Sequence, residues 1–126
     1  MVNKIYDIIS LYIDNARLNI NYLNESEPSY SIEVIGDKVI RKYLDDMKMR
    51  EFTFDLWYIA PYGDDIGINA ESLDTLNKLA EDIECHEEDE FLFFAADIDV
   101  PPHLVSVSPG MAKYKTRICV TYAGKE

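Results

Sequence analysis

The stretch Phe52-Thr53-Phe54-Asp55-Leu56-Trp57-Tyr58-Ile59 carries the strongest strand signal in this chain. Side chains alternate between the two faces of a β-strand, so this stretch has one mainly apolar face and one mixed face. The first face holds Phe52, Phe54, Leu56 and Tyr58, and the second holds Thr53, Asp55, Trp57 and Ile59. Because its second half is apolar on both faces, it is predicted to be a central strand, covered there on both sides.

The remaining elements are predicted by working outward from this strand. Apolar residues at helical spacing predict an amphipathic helix at 3–17, and alternation predicts strands at 18–22, 30–34 and 39–44 before the central one. On the other side, a helix is predicted at 70–84, with Asn69 as its N-cap. An irregular segment at 97–102 and strands at 103–107 and 111–122 complete the chain.

This order, α-β-β-β-β-α-β-β, predicts an α+β fold in a single domain spanning residues 1–126. Runs of strands separated by one helix favour a mostly antiparallel sheet with both helices packed on one face.

Composition excludes several classes of function. The chain has 126 residues, a formal net charge of −12, 48% hydrophobic residues and two cysteines. The charge argues against wrapping a nucleic acid, and the cysteines are too few for a disulfide framework. The first residues do not resemble a signal peptide, and no stretch of 18 apolar residues indicates a membrane span.

The acidic excess is concentrated in the segment from Asp64 to Asp99, which contains thirteen acidic residues and one basic residue, Lys78. The simpler interpretation is a solvated helix end and loop. The functional interpretation is an electrostatic surface that faces a basic partner or keeps a polyanion at a distance. The candidate residues for such a partner-facing or lumen-facing surface are Asp64, Asp65, Glu84, Glu87, Glu88, Asp89 and Glu90.

Residues that carry chemistry are not arranged for catalysis or metal binding. Cys85 and His86 are adjacent, whereas His103 and Cys119 are isolated, which does not match the paired spacing of a zinc site. The five glycines form no phosphate-binding motif, and the carboxylate pairs match no calcium loop. The chain is therefore predicted not to be an enzyme and to need no cofactor or metal.

Aromatic and basic residues instead indicate protein–protein contact. Nine tyrosines, five phenylalanines and one tryptophan make 12% of the chain, and Tyr and Trp are enriched at interfaces. Three basic residues share one face of the last predicted strand, and complementary patches on one molecule favour head-to-tail association. The subunit-interface candidates are Lys113, Lys115, Arg117, Trp57, Tyr62 and Phe93. An aromatic core and a plain solvated strand face are the simpler alternatives.

Several of these features recur in one known family. They are Tyr30-Ser31-Ile32-Glu33, Lys42-Tyr43 with Asp45-Asp46, Arg50 to Phe54 ending in Tyr62-Gly63, Asn69 with the Glu71–Ile83 helix, and the strand from Lys113 to Tyr122. Together they resemble the small tail terminator, or minor capsid, proteins of long-tailed phages and phage-tail-like particles. The resemblance covers roughly residues 30–122. This chain departs from that pattern in having Asp45-Asp46 where a glycine often follows the Asp, and in the acidity after its second helix.

The resemblance implies a homo-oligomer, a hexameric ring at the head-proximal end of a virion or tail-like particle assembled in the bacterial cytoplasm. Its partners would be the tail tube protein and further sheath or head-completion proteins, with no sequence-specific nucleic acid and no membrane. Such a ring stops tube polymerisation and offers the collar or head-joining surface. The resemblance leaves open whether the particle carries DNA and whether the acidic segment faces the lumen, a neighbouring subunit or the sheath.

A different class of function also fits the acidity. An acidic protein-binding module that occupies the nucleic-acid site of a basic partner, as a decoy or inhibitor, needs neither a ring nor a tube.

Overall fold

The elements form one sheet with two helices. A computed structural model describes residues 1–13, 17–21, 28–42, 48–64, 66–88 and 91–124. The helices are α1 (Val2–Ser10) and α2 (Ile66–Glu84). The strands are β1 (Leu18–Ile20), β2 (Ser29–Lys42), β3 (Lys48–Pro61), β4 (Phe91–Ser108) and β5 (Met111–Gly124).

The strand order in the sheet is β1-β2-β3-β5-β4, with β3 in the centre as its two-sided apolar pattern predicts. Only the short β1 runs parallel to its neighbour, and the other three pairings are antiparallel. The α+β class with a mostly antiparallel sheet is therefore confirmed.

Both helices pack on one face of the sheet, as predicted, and this is the face that carries Phe54 and Leu56. Ile5, Ile8 and Ile9 of α1 join the same buried cluster. The contribution of α2 to that cluster is Leu76, Leu79, Ala80 and Ile83, and β5 adds alternate residues from Ala112 to Tyr122. Burial of this continuous apolar layer is the main stabilising contribution to the fold.

The predicted number of strands between the helices was wrong. Segments 30–34 and 39–42 belong to the single strand β2, which keeps its pairing with β3 through register shifts at Val34/Gly36 and Val39/Arg41. Each β-bulge adds a residue on one strand and breaks the alternation that sequence patterns rely on. Residues 43–44 of the predicted strand lie outside the described residues.

The edge strand β4 also differs from the prediction, because the stretch 97–102 belongs to this strand, although its pairing with β5 is interrupted between Ile98 and Val100 and between Val100 and His103. It continues through Pro101-Pro102, with four register shifts against β5. Proline is tolerated at a sheet edge, where no neighbouring strand requires its missing N–H.

The helix ends were predicted less well than the helix cores. The helix α1 ends at Ser10, well before residue 17, and α2 begins at Ile66, four residues before the predicted start. Asn69 therefore lies inside α2 and is not its N-cap. Its side-chain amide instead accepts a hydrogen bond from the Gly63 N–H (3.2 Å) and donates one to the Gly63 carbonyl (2.7 Å).

Candidate protein–protein interface

The sheet face opposite the helices holds four of the six predicted interface residues. Register places Trp57 beside Lys115 and Asp55 beside Arg117, with Ile59 beside Lys113. The three basic residues share one face of β5, as predicted, and the register of β3 against β5 adds Trp57 to the same face. We call this surface, made by Trp57, Lys113, Lys115 and Arg117 around Asp55, the helix-free face.

Asp55 anchors the helix-free face. Its side chain is only 2% exposed, and its Oδ1 and Oδ2 accept hydrogen bonds from Arg117 Nε (2.8 Å) and Nη2 (3.2 Å). The Nζ of Lys115 lies 3.8 Å from Asp55 Oδ2. A bidentate Arg–carboxylate pair fixes the guanidinium in one plane. Hydrogen bonding to Asp55 also raises the pKa of Arg117 above its usual value.

Trp57 is held by two charged neighbours on the same face. Its indole Nε1 donates a hydrogen bond to Glu33 Oε1 (3.2 Å), and Lys115 Nζ lies 5.1 Å from the ring centroid, within cation–π range. Two of the three basic residues thus already face Asp55 within their own chain. The helix-free face is a preorganised mixed-charge surface rather than an unopposed basic stripe.

The other two interface candidates lie elsewhere. Tyr62 is partly buried against the core, at the end of β3, where its N–H donates to the Gly110 carbonyl at 3.0 Å. Phe93 is 45% exposed and lies on the edge strand β4. Only Phe93 of these two is open to a partner over a large part of its side chain.

The acidic candidates divide into bound and exposed groups. The carboxylate of Glu84, at the end of α2, accepts a hydrogen bond from the Ile98 N–H of β4 (3.1 Å). That of Glu88 lies 3.1 Å from Lys4 Nζ and is only 14% exposed. Asp64 and Glu87 are exposed, and Asp65, Asp89 and Glu90 lie outside the described residues.

Glu88 belongs to a network that sequence reasoning missed. His86 Nδ1 lies 2.6 Å from the Tyr12 hydroxyl, and His86 Nε2 lies 3.4 Å from Glu88 Oε2. The imidazole also meets the Phe94 ring edge-on, with centroids 6.3 Å apart. These contacts connect the segment after α1 to the segment after α2. The role that they indicate for His86 is therefore structural. The adjacent Cys85 is exposed and has no part in it.

A second feature missed by sequence reasoning is the exposed outer half of the β2–β3 hairpin. Every residue from Ile35 to Lys42 is exposed, including the apolar Ile35, Val39 and Ile40. We call residues 35–42 of β2 and 48–50 of β3 the β2–β3 arm. Five of the twelve lysines and arginines of the chain lie in this arm, namely Lys38, Arg41, Lys42, Lys48 and Arg50.

A further exposed apolar patch lies at the tip of the β4–β5 hairpin. It consists of Leu104, Val105 and Val107, which are 45%, 43% and 50% exposed. Lys42 pairs with Lys48 at one end of β3, whereas Pro61 pairs with Met111 at the other. The β2–β3 arm and the β4–β5 tip therefore lie at opposite ends of the sheet and on its two outer sides.

Three tyrosines form a ladder across the helix-covered face. The rings of Tyr30 and Tyr58 stack at 4.6 Å, and Tyr58 and Tyr114 lie 6.4 Å apart. Burial raises the pKa of all three phenols above the ordinary value, with Tyr58 raised further by Glu71 and Tyr114 by Tyr62.

This ladder predicts loss of stability in alkali. A folded-state pKa raised above the unfolded value of about 10 means that unfolding releases protons above that pH. The contribution of the three tyrosines to the free energy of unfolding should therefore be constant below about pH 10 and fall as the pH rises further. Urea denaturation at pH 8, 10 and 11 measures this fall, and Tyr58→Phe should make it shallower. Tyr6→Phe, outside the ladder, is the control; an equal change in both variants would contradict the assignment.

Among the described residues, no group of three or more His, Cys, Asp or Glu is placed to hold a metal ion. No described helix is long and apolar enough to cross a membrane. No protein-family model matches the chain, and no curated protein sequence matches it.

Proposed function

We propose that this chain is the subunit of a hexameric ring that caps a phage-type tail tube, stops its polymerisation and offers the collar or head-joining surface. The resemblance of residues 30–122 to tail terminator proteins motivates the proposal. The structural observation that supports it is the pair of unlike exposed surfaces on the two outer sides of the sheet.

Two unlike surfaces matter because they decide the symmetry of assembly. A surface that binds a copy of itself makes a closed dimer, whereas two different complementary surfaces join head to tail. Head-to-tail contacts generate a ring when the rotation between neighbours closes. The basic β2–β3 arm lies on one outer side of the sheet, and the exposed acidic residues Glu71, Asp74 and Glu81 lie on α2, which packs mainly against β4 on the other side. These surfaces differ in position and are complementary in charge, as head-to-tail association requires.

The helix-free face is a second observation that supports a subunit which docks on a tail tube. Arg and Trp are enriched at the energetic centres of interfaces, and side chains fixed before binding lose less entropy on association. Arg117 is held by Asp55, and Trp57 is held by Glu33. We assign this face to contact with the tail tube or sheath, where a rigid, mixed-charge surface favours one docking orientation.

The proposal predicts a ring on the end of the tube. Purified chain mixed with its cognate tail tube should appear as a cap at one end by negative-stain microscopy. The released cap should have about six times the 14.5-kDa chain mass by mass photometry. Decoration along the tube, or no binding at any concentration, would contradict the proposal.

A second candidate function has one observation in its favour. The outer side of α2 exposes Glu71, Asp74 and Glu81, which suits an acidic module that covers a basic site on another protein. This alternative predicts a stable monomer that captures one basic, nucleic-acid-binding partner and ignores tail tubes. The same mass measurement separates the two functions.

A further inference from the structure

The β2–β3 arm has exposed apolar side chains and a pair of opposed lysines that the described part of its own chain neither covers nor neutralises. Among the described residues, the β2 strand of the arm is an unpaired sheet edge beyond its short pairing with β1, and it exposes Ile35, Val39 and Ile40. At its end Lys42 pairs directly with Lys48 across the hairpin. Like charges placed directly opposite each other destabilise a strand pair, so this arrangement favours a partner that supplies carboxylates.

The described carboxylates in the arm and next to it do not neutralise that lysine pair. Lys38 lies 3.6 Å from Glu51, and Arg50 lies 3.3 Å from Asp37, so those carboxylates are already engaged. Neither Lys42 nor Lys48 forms an ion pair with another described residue. Asp45 and Asp46, in the connection between the strands, lie outside the described residues.

A surface of opposite charge lies on the outer side of α2. Glu71, Asp74, Glu81 and Asp82 recur at helical spacing, and the one basic residue in this row, Lys78, lies 3.7 Å from Asp82. We call this row, Lys78 included, the acidic helix face. Ile66 and Ile68, at the start of the same helix, are 82% and 46% exposed and add an apolar contact area.

The two surfaces match in length as well as in charge. Eight residues of strand span about 26 Å at 3.3 Å per residue. The 19 residues of α2 span about 28 Å at 1.5 Å per residue. The arm can therefore lie along the whole helix.

The arm cannot reach the acidic helix face of its own chain. It extends from β2, near one outer side of the sheet, whereas α2 packs mainly against β4 at the other. Strands lie about 4.8 Å apart, so β3 and β5 separate the two surfaces. The contact must then form between two copies, and repeating it joins successive copies head to tail.

We propose that the β2–β3 arm of one copy docks along the acidic helix face of α2 in the next copy. The proposal rests on the ring function above and names the contact that holds the ring together. Lys42 and Lys48, at the tip of the arm, meet carboxylates near the end of the helix, while Ile35, at the other end of the arm, covers the apolar surface of Ile66 and Ile68 at the start of the neighbouring helix.

Charge reversal tests the contact. Lys42→Glu with Lys48→Glu should raise the concentration needed for half-assembly by about ten-fold or more, because it turns attraction into repulsion. Glu81→Lys with Asp82→Lys should have the same effect. All four substitutions in one chain should restore assembly, since every contact of the ring then pairs opposite charges again. Mass photometry across a concentration series measures each variant, and circular dichroism checks that it is folded.

The matched control is Lys78→Glu, which changes the net charge by the same amount as one arm substitution. Because it makes the acidic helix face more acidic, assembly should be unchanged or stronger, whereas a general charge effect would weaken it. If both reversed pairs assemble like the wild type, or the combined variant stays dissociated, the arm contact is overturned while the ring function stands. If the wild type itself forms no ring with or without tail tube, both proposals are overturned.

Discussion

Replacing Asp55 by asparagine is expected to lower the free energy of unfolding by about 2–3 kcal/mol. The carboxylate is nearly inaccessible to water and accepts two hydrogen bonds from Arg117. Asparagine keeps the shape but removes the charge that both Arg117 and Lys115 face. The value lies below the 3–5 kcal/mol typical of a fully buried pair, because the two cations are about one-third exposed and regain water.

Urea denaturation followed by the fluorescence of Trp57, the only tryptophan, measures this loss. The matched control is Glu33→Gln, an acid-to-amide change on the same face at an exposed position. It should cost less than about 1 kcal/mol, because its hydrogen bond to the indole is in contact with water. Equal stability of Asp55→Asn and the wild type would mean that the ion pair is not what holds the helix-free face.

The stability effect bears on how assembly is tested. Reversing Lys113, Lys115 and Arg117 together is expected to weaken assembly onto the tail tube or sheath, the contact that we propose for the helix-free face. Reversal of Arg117 also places two carboxylates next to each other in a largely buried site, which destabilises the fold itself. A loss of assembly in that triple variant is informative only if the chain is still folded.

The period-2 pattern of residues 52–59 was a reliable guide to the fold. It located the central strand and its two faces. The prediction that both faces of its second half are covered was wrong at Trp57, which the described helices, packed on the face of Phe54, leave partly exposed. The same reasoning placed Lys113, Lys115 and Arg117 on one face of the last strand. Alternation works wherever each residue has a fixed inward or outward position.

In strand segments outside the core, the alternation of apolar and polar residues no longer indicates which side chains are buried. The arm and the edge strand β4 contain bulges, so apolar residues recur without regular spacing, and the predictions split β2 and interrupted β4. The ion pair of Asp55 was missed for a different reason. It joins residues separated by 62 positions, and their proximity depends on the register of β3 against β5.

The acidic segment from Asp64 to Asp99 is not one uniform surface in the structure. Glu84 and Glu88 bind groups of their own chain, whereas Glu71, Asp74 and Glu81 form an exposed row on α2. Acidity at the end of α2 is unfavourable for the helix dipole, but the hydrogen bond from the Ile98 N–H gives Glu84 a compensating partner. The exposed row on α2 is the part of the segment that is open to another molecule.

The ring proposal predicts that removing this chain from particle assembly has the largest functional effect. Under this proposal, a tube that lacks the chain keeps adding rings until tube subunits are exhausted. The length of every tube should therefore be affected. Complementation with Lys78→Glu should restore a uniform length, because Lys78 is exposed and the substitution leaves the proposed contact unchanged or stronger. Complementation with Lys42→Glu/Lys48→Glu should not.

The measurement that tests the central claim most directly is the length distribution of tail tubes, by electron microscopy, in particles made with and without this chain. The ring proposal predicts one narrow length with the chain present and a broad distribution extending to much longer tubes without it. Tubes of the same narrow length in both preparations would contradict the claim that this chain ends tube growth.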